Sequence, residues 1–113
     1  MTPDALAAAV RAAGYFAQVR LFGPLTGVEA AHPGPEPDRP EAPLVRAVQT
    51  RAGRWALTVF GAPAVGVPDP AALPSVVIDL LREMGHCLDL PGAVIERYGL
   101  TPFDPTELAT GDH

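Results

Sequence analysis

A histidine, the chain's one cysteine and an aspartate, three possible ligand types, meet in one short stretch, "REMGHCLDLPG": His86, Cys87 and Asp89. Two chemistries come into question. A thiol nucleophile needs an imidazole within hydrogen-bond reach of sulfur, usually supplied from elsewhere in the fold. Sequence neighbours rarely achieve this, because they point to opposite faces of a strand or diverge by about 100° on a helix. Of the other histidines, His32 lies in a proline-rich segment and His113 is the last residue. Cys87 is therefore expected to be a small buried hydrophobe, and no catalytic residue is assigned. Structural zinc wants four ligands, commonly paired as CxxC or HxxxH. No second cluster follows here, so only a site shared across a homodimer would complete the set. No metal ligand and no cofactor are assigned.

The residue types that are missing narrow the chemistry further. The chain has no lysine and no asparagine, its one serine is Ser75, and all 8 basic residues are arginine. A P-loop, a Schiff base and a pyridoxal-phosphate anchor all require lysine. Ser75 sits in no GxSxG turn, which makes it a poor hydrolase nucleophile. The 13 acidic residues are spread along the chain, so no carboxylate pair for acid–base work stands out. A net charge of −5 argues against nucleic acid as a partner, since a basic face is needed to replace condensed counterions.

The arginines and phenylalanines are more informative. Arg46, Arg51 and Arg54 gather around a predicted hairpin, and Arg20 can join the same sheet face. A local basic cluster in an acidic protein marks an anion site or an acidic partner. The ordinary alternative is that turn-flanking arginines are solvated and guard strands against edge pairing. Phe16, Phe22 and Phe60 fall on strand faces opposite the predicted core side, where an uncovered sheet would present them to a partner. These seven residues are the candidate partner-binding set.

The elements that must position them follow from periodicity. "TPDALAAAVRAAG" reads as a helix with Thr2 as cap, Pro3 in the first turn, a stripe at Leu6, Ala9, Val10 and Ala13, and Gly14 as stop. "YFAQVRLFG" alternates as a strand, with Tyr15, Ala17, Val19 and Leu21 on the core side, and "TGVEAA" can return as a short second strand. Residues 32–43 carry five prolines and are expected as an exposed loop. Two β-branched runs flanking Ala52-Gly53 form a hairpin with Trp55, Leu57 and Val59 toward the core. Leu73, Val76, Val77, Leu80, Leu81 and Met84 make a helical stripe, with Gly85 as its stop. "PGAVIERYG" reads as a short helix, and residues 109–113 as a frayed tail.

This order predicts one α+β domain over 1–113: a small, mostly antiparallel sheet of three or four strands, with helices packed mainly on one face. A lone cysteine suits a reducing cytosol. There is no basic-then-apolar N-terminal segment, and no apolar run approaches the roughly 20 residues of a membrane span. A cytoplasmic protein without membrane partners is expected, and the Ala, Arg, Gly and Pro richness points to a GC-rich bacterial genome. The expected function is a non-catalytic protein-binding module of accessory, immunity or adaptor type, binding another protein or a second copy of itself. The alternative is a small enzyme or anion- or small-ligand-binding protein with a pocket built from His86, Asp89 and arginines. A helix-turn-helix fragment over "VIERYGLTPFDPTEL" is disfavoured by its few basic groups.

Overall fold

A computed structural model describes residues 1–36, 39–59, 63–84 and 91–103. The chain opens with helix α1 (Pro3–Ala12), whose amide at Ala5 donates to Thr2 Oγ1 at 3.1 Å, satisfying one orphan donor of the first turn. Helix α2 (Leu73–Met84) follows a single 3₁₀ turn at Pro70–Ala72, itself capped by Asp69. Helix α3 (Gly92–Tyr98) ends on Gly99 at φ 64°, a left-handed cap that favours glycine.

The sheet is larger than expected. Six antiparallel strands run in sequence order: β1 (Phe16–Phe22), β2 (Leu25–Glu36), β3 (Arg39–Gln49), β4 (Trp55–Val59), β5 (Val65–Gly66) and β6 (Thr101–Pro102). The sequence predicts three or four, because β5 and β6 are two residues each and too short to show a period. The helix-turn-helix fragment does not form over 94–103 either, since α3 is followed by β6, which pairs with β5.

The proline-rich segment 32–43 is the second correction. At residues 32–36 and 39–43 the expected loop is strand: β2 and β3 extend into it as paired arms, with register shifts after Ala31 and after His32. β1 begins pairing at Phe16 opposite Ala31, so beyond that point β2 and β3 stand as a two-stranded ribbon. Each strand of a ribbon keeps one open edge, where a residue without an N–H costs no ladder bond.

The helices cover one face. Ala17, Val28, Ala30, Val45, Ala47, Trp55, Leu57, Val59 and Val65 point toward Leu6, Val10 and the whole predicted α2 stripe, all buried in one core. Each large apolar side chain buried this way contributes about 1.5–3 kcal/mol. The cover stops short on β1. Val19 and Leu21 lie on the predicted core side, yet are 37% and 74% exposed, because the strand runs on past the part covered by α1.

Candidate functional site

On the sheet face away from the helices, alternation places Phe16, Gln18, Arg20 and Phe22 of β1 beside Gly27, Glu29 and Ala31 of β2. Arg46 and Val48 of β3 and Ala56 and Thr58 of β4 continue the row. At its centre is Glu29, only 4% exposed, between the exposed side chains of Arg20 and Arg46. Its Oε1 accepts from Arg20 at 2.9 Å and from Gln18 Nε2 at 3.2 Å, while Oε2 accepts from Arg46 Nε at 3.2 Å. Burial pushes the Glu29 carboxyl up, but the bonds from Arg20 and Gln18 and the two guanidinium charges outweigh it. The net result is a carboxyl below its ordinary range.

A Gly–Phe–Arg stack sits against this network. Phe22 lies over Gly27, where any Cβ would collide with the Ala47 carbonyl oxygen and come within 2.9 Å of the Phe22 ring. The Arg46 guanidinium stands over Phe22, 5.8 Å from its centroid. The same construction recurs at the other end of the sheet. Phe103 lies over Gly66, whose added Cβ would meet its ring at 3.0 Å, and Arg54 stands over Phe103 at 5.4 Å. A strand glycine gives the ring room to lie flat, and the ring's negative face holds the cation.

The predicted partner-binding set therefore divides. Arg20, Phe22 and Arg46 come together around Glu29, and the side chains of Arg20 and Arg46 keep 55% and 49% of their surface open. Phe16 shares this face, half-buried opposite Ala31 at the other end of β1. Arg54 belongs to the second stack and Arg51 is exposed in the hairpin turn, so neither joins the Glu29 network. Phe60, His86, Cys87 and Asp89 lie outside the described residues. His32 is half-buried, with its ring edge-on to Tyr15 at 5.6 Å. Among the described residues no group of three or more histidine, cysteine or acidic side chains converges to hold a metal.

Sequence reasoning missed Glu29. The signal was present, since Gln18 and Arg20 alternate on β1 and a tight turn brings β2 back alongside. It needed the register to be read. Sequence reasoning also missed the joint between α2 and α3, which gathers Asp79 and Glu83. Arg97 donates to Asp79 at 3.0 Å and to Glu83 at 2.6 Å, and the Tyr98 hydroxyl donates to Asp79. The Tyr98 hydrogen bond, helped by Arg97, lowers the Asp79 carboxyl, and the same bond raises the Tyr98 phenol. The spacing of Asp79 and Glu83, one helical turn apart on one face, was the available clue.

An open groove of 540 Å³ lies beside the second stack, lined among others by Arg54, Trp55, Gly66, Val67, Thr101 and Phe103. No protein-family model matches the chain, and neither a curated protein nor a solved structure shows significant similarity to it. No helix among the described residues is long and apolar enough to cross a membrane.

Proposed function

We propose that the protein is a non-catalytic protein-binding module, a small bacterial accessory, immunity or adaptor-type protein, and that it binds through the helix-free face of its sheet. The observation that carries this is the Glu29 network. Two guanidinium groups are held in place by one buried carboxylate, with about half of each still open to solvent. Fixing long side chains before contact removes part of the ordering cost of association. Arginine and aromatic residues are also the types enriched at interface centres. The partner that fits presents carboxylates beside apolar surface. Affinity capture from the host with a wild-type bait and an Arg20→Gln/Arg46→Gln/Glu29→Gln bait tests this. Removing all three charges together avoids leaving Glu29 buried and unpaired. Selective loss of a captured protein from the triple variant supports the proposal, and an unchanged captured set opposes it.

A second reading is favoured by the groove at Arg54 and Phe103, whose 540 Å³ falls in the range of small-ligand sites. On that reading the protein binds a small anion or enzymatic substrate. A screen of carboxylate and phosphate compounds by thermal shift, repeated on Arg54→Gln, distinguishes it: the ligand would stabilise wild type and not the variant.

A further inference from the structure

We infer that β1 is the seam of a homodimer, in which two copies pair edge to edge into one continuous antiparallel sheet. This rests on the protein-binding reading and names a second copy of this chain as one partner, bound at the edge rather than the face.

β1 is the outer strand of the sheet, seven residues long and without proline. An edge of that kind is a template for another strand. Its polar groups can be assigned by alternation. Gly23, at φ 63° with Pro24 after it, makes a two-residue turn between Phe22 and Leu25, the closing hydrogen-bonded pair of the hairpin. Residues 16, 18, 20 and 22 then bond to β2, and residues 17, 19 and 21 turn outward. The Ala17 carbonyl agrees, since it accepts from Arg11 Nε, outside the sheet, at 2.8 Å. Arg11 covers that one carbonyl, so Val19 and Leu21 hold the open part of the edge. These are also the two residues of β1 whose apolar side chains are exposed.

Charge selects the register. A two-fold axis through Val19 pairs Val19 with its counterpart, Leu21 with Ala17 and Arg20 with Gln18 of the second copy. Gln18 donates to Glu29, which leaves its amide oxygen as an acceptor for the incoming guanidinium. Shifting the axis to Arg20 would set two guanidiniums opposite each other, which is unfavourable. In the Val19 register the exposed Leu21 lands beside Ala17 of the second copy, where that copy's α1 covers the sheet. The two Ala17 residues are then four residues apart along the strands, about 13 Å, so the two α1 helices, each about 10–12 Å across, fit side by side. Six backbone hydrogen bonds become available once Arg11 yields the Ala17 carbonyl.

Sedimentation velocity over a concentration range tests the seam, with two variants. Val19→Pro removes an outward N–H and no bond to β2, so the fold should survive while dimerisation weakens at least about tenfold. Val19→Cys in a Cys87→Ser background should be joined to itself by a short thiol crosslinker. A cysteine at the exposed Thr101, on the opposite edge of the sheet, should not. A wild-type protein that stays monomeric at hundreds of micromolar, or a folded Val19→Pro variant that dimerises as tightly as wild type, overturns the inference. Because Val19→Pro leaves Phe22, Glu29 and Arg46 intact, loss of its dimer with retained capture of another protein would support the seam and leave the face proposal standing, whereas a monomeric wild type that still captures a protein defeats the seam alone.

Discussion

Removing Glu29 and removing its arginines should not be equivalent. The carboxylate is buried and both guanidinium groups are about half exposed. In Glu29→Ala three hydrogen bonds to the carboxylate are lost, two of them from guanidinium groups, but the freed arginines turn into water. The cost is then about 1–2 kcal/mol, below that of breaking a fully buried pair. In Arg20→Ala/Arg46→Ala the carboxylate stays covered, with only Gln18 to hold it, and the cost rises to about 3–4 kcal/mol. The triple glutamine variant should fall near Glu29→Ala or above it in stability. Urea unfolding at pH 7 and low salt measures all three as shifts in midpoint at constant slope. pH provides a second readout. The folded Glu29 carboxyl is lowered relative to the unfolded chain, so its contribution is complete above the unfolded value of about 4.3 and is lost as pH falls through the lowered folded value. Wild type should therefore lose its advantage over Glu29→Ala progressively below about pH 5. Equal costs for Glu29→Ala and the double arginine variant would refute the argument that burial of the carboxylate dominates, as would a difference between wild type and Glu29→Ala that persists unchanged at pH 2.

Two further outcomes follow from the packing. Gly27→Ala drives a methyl into the Ala47 carbonyl and the Phe22 ring, and should destabilise by about 1–3 kcal/mol, with the β2–β3 amides losing hydrogen-exchange protection first. Tyr98→Phe removes the donor to Asp79 at a partly buried joint. It should cost about 0.5–1.5 kcal/mol in thermal unfolding and let the Asp79 carboxyl titrate at higher pH by NMR.

The parts of this fold that were legible in the sequence are those whose signal is local. The α2 stripe from Leu73 to Met84 is buried as its period predicts, Thr2 caps α1, and Trp55, Leu57 and Val59 face the helices. Residues 32–36 and 39–43 were misread because proline counts against a strand only where its missing N–H would have a partner, and a two-stranded ribbon supplies open edges. β5 and β6 leave no periodic trace at two residues each. On the helix-free face, Phe22 is read from strand alternation, and Arg20 and Arg46 from their gathering at the predicted hairpin. Glu29 is not, since its role depends on which residue of β2 stands opposite Gln18 and which residue of β3 stands beyond it. The exposure of Val19 and Leu21 was hidden for a related reason: alternation gives the face of a strand but not how far a helix covers it.

The most direct test is quantitative capture with matched baits, wild type against Arg20→Gln/Arg46→Gln/Glu29→Gln, at low and at physiological salt, with folding of both checked by unfolding curves. The account predicts a stoichiometric protein partner on the wild-type bait, weakened by salt and lost from the folded triple variant. Retention of the same partner by the folded variant, or no partner at either salt concentration, would contradict it.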